Sequence, residues 1–364
     1  MRTALLSSAL LSFATVASAF DLWVPQAPVP VESRTLDEIY AAAKQEHGTL
    51  QVAWGGDEPG FNADIFAAFR SRFPAVKLNA TVDLSKYHDS RIDRSFVETG
   101  KENIDVVVLQ TVQDFPRWNL EERLLPYKVS NWDSILPYLK DESAAFTPLW
   151  IYTFGNFYYS TSKVAASDVP TTYADFLDPK WKNKLVLTYP NDDDAVNYLF
   201  STIIKNHGWQ WLDGLVKQNV TWVRGTGTPH TLLERSSNNT QSNLAITFTT
   251  FAPVDASVAM ATPNDEVVSW AQPGGIFKST SMPETAKLFL NYMLSNDIQS
   301  TMIREGSVSA LQNISGNGNP FASGKNPLRF TTFAEDRQLV DYLKLQFETT
   351  LGPPQGLSPL IDGI

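Results

Sequence analysis

Apolar residues in the first third of the chain fall into strand-length runs, and between the runs they recur at helical spacing. Leu50 to Trp54, Val76 to Val82 and Ile104 to Leu109 read as strands, and Leu50 to Trp54, apolar but for Gln51, is close to the continuous apolar type that a parallel sheet covered on both faces requires. A helix opening at Asn62 or Asp64 turns Ile65, Phe66, Phe69 and Phe73 inward, and Tyr87 to Gly100 is a second helix. Ahead of them, Thr35-Leu-Asp-Glu38 is a capping box for a helix with Leu36, Ile39, Tyr40 and Ala43 on one face, ended by Gly48. The order βαβαβ with short loops specifies a doubly wound α/β sheet.

The remainder repeats this alternation with less regularity. Phe115 to Leu125 is a short helix. Leu149 to Ser160 is an aromatic strand long enough to run between two domains. Asp175 to Tyr198 runs from a Pro-bracketed turn, DPKWKNK, into the strand Leu185 to Tyr189, a stop at Pro190, three aspartates and a helix from Ala195 to Asn206. Helices follow at Trp209 to Gln218 and Thr231 to Arg235, and strands at Trp222 to Arg224, Leu244 to Thr249 and Val267 to Trp270. Ser281-Met-Pro-Glu284 reads as a second capping box, opening a long helix with Leu288, Phe289, Tyr292 and Met293 on a face that Ile298 to Ile303 continues. Ala334 to Thr349 is the last helix.

The N-terminus changes the address. Arg2, an apolar run from Ala4 to Val16 and Ala17-Ser18-Ala19 form a secretion signal, so residues 1–19 are expected to be removed, with residues 20–34 an extended, Pro-rich leader. Without Arg2, 28 basic residues face 39 acidic ones, a net charge of −11, which argues against nucleic acid and anionic membranes as partners. There is no Cys, so thiolate nucleophiles and thiolate metal sites are excluded, and the core alone must hold an exported fold together. Four N-x-S/T sequons, at Asn79, Asn219, Asn238 and Asn313, together with the signal, favour glycosylation in a eukaryotic secretory route.

The segment Pro170-Thr-Thr-Tyr-Ala-Asp-Phe-Leu-Asp-Pro-Lys-Trp-Lys-Asn-Lys-Leu resembles the hallmark turn of extracellular solute-binding proteins of the ferric-iron-transporter type. Ile104-Asp-Val-Val-Val-Leu-Gln is similar to that family's third strand, and Ser281 to Ile303 resembles its late helix, so the likeness runs over roughly Thr35 to Phe347. The resemblance implies a type II periplasmic-binding-protein fold, with two α/β lobes, each a mainly parallel sheet flanked by helices, closing on a small solute. Residues 35–148 with 266–310 would form one lobe, and 149–265 with 311–364 the other. The sequons, with the signal, suggest a secreted member of fungal origin. Iron does not carry over. Ferric-binding members place two adjacent tyrosines after the strand matching Leu244 to Phe248, where this chain has Thr249 and Thr250, and hard Fe(III) wants anionic oxygen ligands.

Candidate site residues follow from position at strand C-termini and helix N-termini. Trp54 offers a ring to stack on, and Gly55, Gly56 and Asp57 form a loop whose N–H groups suit an anion; the alternative is a turn with Trp54 in the core. Tyr87 and His88 lie beside Lys86 between the second strand and its helix, where a polar cap is equally natural. Gln110 and Thr111 end the third strand. Asn156 follows a glycine on the crossover strand. Tyr189, Asp192, Asp193 and Asp194 stand at the next helix start, where acids also favour the helix dipole by about 0.3–1 kcal/mol each, so at least two of the aspartates are expected to be structural. Thr226, Thr249, Thr250 and Trp270 are candidates by position.

These observations lead to a secreted, monomeric solute-binding protein that closes on a small polar organic ligand, with phosphorylated and cationic solutes among the candidates. No cofactor, metal or catalytic residue is expected, and no stable membrane association. An ABC permease is the expected partner in a bacterium, where the address would be periplasmic. A secreted hydrolase or lyase on the same scaffold would need an acid–base pair, for which His88 and Asp192 to Asp194 are the only candidates. An interaction module without a small ligand is the third reading.

Overall fold

A computed structural model describes residues 28–58, 60–250, 256–312, 314, 316–322 and 325–361; the signal segment, the start of the leader and Asn313 lie outside the described residues. The first lobe is built on strands β1 (Leu50–Gly55), β2 (Leu78–Asp83), β3 (Val106–Val108), β4 (Phe146–Phe154), β10 (Val268–Ile276) and β11 (Val308–Ser309). They lie in the order β11-β4-β10-β3-β1-β2. The βαβαβ unit supplies the parallel pairs β1·β2 and β1·β3, while β10 and β4 run antiparallel. Helices α1 (Leu36–Ala43), α2 (Ala63–Arg72), α3 (Ser85–Thr99), α4 (Asp114–Leu120), α8 (Pro283–Met293) and α9 (Asn296–Arg304) cover this sheet.

The second lobe holds the antiparallel trio β8-β5-β9, made of β8 (Ile246–Thr249), β5 (Asn156–Ser160) and β9 (Val258–Ala261). Beside it lies the parallel pair β6 (Val186–Thr188) and β7 (Thr221–Val223), joined to β8 by a bridge between Leu185 and Ile246. Its helices are α5 (Asp194–His207), α6 (Gln210–Val216), α7 (Thr228–Ser237), α10 (Pro327–Glu335) and α11 (Arg337–Leu351). Each lobe has its own core: Trp54, Phe69, Trp150 and Phe289 in the first, and Phe157, Phe176, Phe200 and Trp211 in the second. In the DPKWK turn, Trp181 is buried in the second core and Asp178 caps Lys180, so that turn is scaffolding. The described part of the leader is docked on the first lobe, where Val31 bridges to Lys128 and Arg34 pairs with Glu32 and Glu284.

Neither lobe has the mainly parallel sheet expected: β10 and β11 return antiparallel onto the first sheet, and β8-β5-β9 is antiparallel throughout. Three elements also depart from the sequence expectation, each for a local reason. The strand from Leu149 to Ser160 is two strands in two sheets, because Gly155 sits at φ 111°. β4 stays in the first sheet through Phe154, so the chain crosses between lobes at Gly155 rather than at residue 149. The capping box at Ser281 does not form. Helix α8 begins at Pro283, and Glu46, from the far side of α1, accepts hydrogen bonds from Glu284 N–H (2.8 Å) and Thr285 N–H (2.9 Å) instead. The long late helix breaks after Met293. There the buried Gln299 amide donates to the Met293 carbonyl (2.9 Å) and the Leu149 carbonyl (3.0 Å), ending α8 and tying α9 to the sheet.

Gly155 is the tightest point of the crossing. A Cβ there would lie 2.6 Å from the Tyr173 hydroxyl, which donates to the Gly155 carbonyl (2.9 Å), and 3.2 Å from Leu199. Gly155→Ala is therefore expected to lose about 1–3 kcal/mol, from the left-handed backbone and the displaced tyrosine together. A urea melt of the variant against the parent checks it; an unchanged midpoint contradicts the hinge account.

Candidate functional site

The lobes enclose a cavity of about 330 Å³, within the usual range for small-solute sites. From the first lobe its wall takes the β1–α2 loop, the start of α3 and the loop after β3. The second lobe contributes the β6–α5 turn, the turn before α7 and residues of α11. These are the strand ends and helix starts expected of an open α/β sheet.

The three aspartates take three different tasks. Asp193 is the N-cap of α5, accepting from Ala195 N–H (2.8 Å) and Val196 N–H (3.1 Å), and burial, then the Asp194 charge, pushes its carboxyl up to about 6. Asp194 pairs across to α11, with Arg337 (2.6 Å) and Lys344 (2.5 Å). Asp192 bridges the lobes. It receives Lys86 of α3 at 2.6 Å and Arg224 of its own lobe at 3.0 Å. Burial pushes Asp192 up, but the Arg224 hydrogen bond and the Lys86 charge outweigh it and hold the carboxyl below its usual range. Arg224 in turn donates to the Tyr87 hydroxyl of α3 (2.7 Å).

The second bridge comes from the glycine loop. Asp57 Oδ2 accepts from the Thr226 hydroxyl (2.8 Å), Gly227 N–H (2.9 Å) and Thr226 N–H, all in the turn before α7. Thr231 of α7 also donates to Glu58 (3.1 Å). Asp57 and Thr226 therefore meet each other, although both stood as separate candidates in sequence.

Gly55, Gly56, Gln110, Thr111, Asn156, Thr250 and Trp270 also line the cavity. The Thr111 hydroxyl, Gln113 Oε1 and Asn156 Oδ1 are buried there with no hydrogen-bond partner among the described residues. Trp270 packs on Tyr152 and Phe330, with its indole N–H given to Gln272 (2.9 Å).

Five sequence candidates stand away from the cavity wall. The Trp54 ring packs on Phe66, Trp150 and Phe289 in the first core, so the stacking role does not fit its place. His88 is buried with Nε2–H on the Thr81 carbonyl (3.0 Å); burial, then the Arg91 charge, pushes it down to about 4, so it is neutral and turned to β2. Tyr189 stacks on Trp222, and Thr249 donates to the Thr226 carbonyl beneath the α7 turn. Tyr87 stands behind the wall, its hydroxyl accepting from Arg224 and its ring 5.6 Å from the Lys86 ammonium. The glycine at 155 admits the Tyr173 hydroxyl rather than a solute.

Several wall residues were not singled out from sequence: Gln113, Tyr152, Gln272, Lys325, Arg337 and Lys344. Arg337 and Lys344 are seven residues apart, two turns of α11, so their shared face was readable, but their partner Asp194 was not. His88 was readable too, since it stands four residues from Ile92, the other buried residue of α3.

Asp89 of α3 also lines the cavity. Burial, then the charge of Asp114, pushes its carboxyl up to about 7. The folded pKa thus lies above the ordinary value of 3.8. Its contribution is full below pH 3.8 and is lost as pH rises through about 7. Asp89→Asn should flatten the stability profile between about pH 4 and 7 and leave the variant at least as stable as the parent at pH 8. Denaturant melts of both proteins across that window decide it; parallel profiles contradict it.

A family profile described as bacterial extracellular solute-binding protein matches residues 102–331. No curated protein matches the sequence. Among solved structures, the substrate-binding protein of an ABC transporter from Agrobacterium tumefaciens superposes with a TM-score of 0.69 at 14% identity, over 84% of this chain and 94% of that one. AfuA from Actinobacillus pleuropneumoniae, with fructose-6-phosphate bound, gives 0.64 at 16% identity over 83% and 99%. Iron-bound HitA from Pseudomonas aeruginosa gives 0.63 at 14% over 82% and 99%. At these identities the structures speak for the two-lobed periplasmic-binding-protein fold, and the profile, spanning more than half of the sequence, speaks for the lineage: the chain belongs to the bacterial extracellular solute-binding protein family.

Proposed function

We propose that this chain captures one small polar organic solute between its lobes, as a monomer, and that the bound form is the one with the lobes joined. The observation that carries this is the cavity of about 330 Å³ walled by both lobes and spanned by Lys86–Asp192 and Asp57–Thr226. A ligand touching both walls favours the joined state by its additional contacts there. Solved proteins of this fold hold iron in one case and fructose-6-phosphate in another, so fold alone leaves the solute open. Iron is disfavoured on chemistry. Thr249 and Thr250 spend their hydroxyl protons on the Thr226 and Thr153 carbonyls, and no group of three or more His, Cys, Asp or Glu among the described residues could hold a metal.

Binding without turnover is the reading we adopt. The acid–base pair that a hydrolase would need from His88 and the aspartates is not assembled, since His88 faces β2 while Asp192 to Asp194 are committed to Lys86, the α5 cap and α11. A thermal-shift and native mass-spectrometry screen of phosphosugars, thiamine, polyamines and ferric salts tests the proposal. A solute at about 100 times its Kd adds about 2.7 kcal/mol and several degrees to Tm. At least one organic solute should do so and ferric salts should not; silence across the organic panel would sink the reading.

We further propose export through the N-terminal segment, with delivery to an ABC permease in a bacterial host. No helix among the described residues is long and apolar enough to cross a membrane. The sequons are the support for a fungal source with glycosylation. Asn79, Asn219 and Asn238 are exposed. The Asn79 and Asn219 amides each hold a 2.7 Å hydrogen bond, to Gln51 and Asn183, whereas Asn238 has only a 3.4 Å contact with the Glu234 carbonyl. Asn238 should therefore carry the highest glycan occupancy in protein secreted by a fungal host, read by glycopeptide mass spectrometry before and after glycosidase. Protein without glycan at any of the three contradicts this.

A further inference from the structure

Helix α7 opens at Thr228, and the turn before it directs two N–H groups and a hydroxyl to one point. Amides at a helix start, free of partners within the helix, form an anion cradle. In this protein the anion is its own. Asp57, only 6% exposed, reaches across from the first lobe and gives a single oxygen to all three donors. Its loop is held for the purpose: Gly56 N–H donates to the Asp83 carbonyl (3.0 Å), and a Cβ at Gly56 would meet Phe61 and Val82 at 2.8 and 2.9 Å.

The cations nearest the cleft are held two to an acid. Lys86 and Arg224 are given to Asp192, and Arg337 and Lys344 to Asp194. Lys325 is the cavity ammonium left without an ion pair among the described residues, and burial pushes it toward its neutral form. Asp89, Asp193 and Glu305 also line the cavity and make no ion pair among the described residues, each pushed up by burial first and by a neighbouring acid second. Among the described residues, the unpartnered atoms of the wall are two amide oxygens, Gln113 Oε1 and Asn156 Oδ1 (the latter on a residue 8% exposed), two hydroxyls, of Thr111 and Tyr152, and one amide nitrogen, Asn62 Nδ2, so acceptors outnumber pure donors two to one. An anionic solute seated at the α7 start would have to expel Asp57 from its donors and leave a buried carboxylate unpaired, against the desolvation of that group. A solute bringing N–H or O–H groups would instead satisfy the waiting acceptors.

We infer that Asp57 is an internal anion that fills the α7 cradle and restricts the joined cleft to neutral or cationic solutes rich in N–H and O–H donors. This rests on the solute-binding function proposed above and names its substrate class.

The test measures binding of inorganic phosphate by calorimetry and thermal shift to the full mature chain and to Asp57→Ala, with a neutral polyol and a polyamine panel run on the parent. Asp57→Ser, which keeps a short polar group at the helix start, is run beside the alanine variant, and circular dichroism checks both folds. The parent should show no saturable response to phosphate. The folded variant should bind phosphate at least about tenfold more tightly than the parent, and adding Thr226→Val, which removes one of the three donors, should reverse part of the gain. Saturable phosphate binding by the parent equal to that of the variants would overturn the inference, as would no gain in either variant. Failure of both variants to fold would assign Asp57 to holding the fold and would overturn it as well. The two readings separate cleanly. If the variants gain phosphate but no organic solute binds the parent, solute capture fails and the cradle assignment stands. If a phosphorylated solute binds the parent in the cleft, the cradle assignment fails and solute capture stands.

Discussion

A helix start that faces the protein interior must find acceptors for N–H groups that its own backbone cannot satisfy, and much of this structure is arranged around meeting that demand with acids. Asp193 caps α5 and Asp336 caps α11, each from the adjoining residue. Glu46 caps α8 from a position 238 residues away, and Asp57 caps α7 from 170 residues away and from the other lobe. The remote caps do more than stabilise a helix end. Glu46 ties the first helix of the fold to a late one, which is how a chain that leaves the first lobe at Gly155 and returns at β10 keeps that lobe whole. Asp57 makes the helix start of one lobe depend on the position of the other, so the state of α7 and the joining of the lobes are one equilibrium.

This division also separates what could be read in the sequence from what could not. Local caps leave a signature because donor and acceptor lie within a few residues: the Thr35–Glu38 box formed as read, and at least one of the three aspartates was bound to cap α5. Remote caps leave none. Ser281 and Glu284 had the right spacing, yet the helix starts at Pro283 and takes Glu46, because a carboxylate brought in by tertiary packing can serve two N–H groups and the Thr285 hydroxyl at once. The same limit governed the site. Positions at strand ends and helix starts were legible from the βαβ order. The direction of a side chain was legible only where periodicity resolves it: α3 places His88 with Ile92 on its buried face, whereas β1 is buried at Val52, Ala53 and Trp54 alike, so its pattern gave Trp54 no preferred side.

The site differs from a simple polar hole because its charges are largely spoken for. Lys86, Arg224 and Asp192 form one cluster across the lobes, and Asp194, Arg337 and Lys344 another within the second lobe. Removing the acid of either cluster leaves two cations facing each other, whereas removing one cation leaves a compensated pair, so Asp192 and Asp194 are the members whose loss costs most. The clusters therefore fix geometry more than they add stability. They hold the β6–α5 turn and α11 in place, and the wall between them includes amides, hydroxyls and the Trp270 and Tyr152 rings.

That arrangement bears on how the lobes separate. Parting them breaks the Asp57 and Lys86–Asp192 contacts together, exposing an uncapped α7, a carboxylate and an ammonium to water, where each is well solvated. The electrostatic balance between parted and joined states is thus close, since the Coulomb gain on joining is offset by desolvation of the same groups. A balance of this kind lets a modest number of solute contacts decide the outcome, as a two-state protein needs only a few kcal/mol of differential affinity to shift its population. The acids that cap helices across the cleft set the register in which the lobes meet, and the solute supplies the difference that keeps them there.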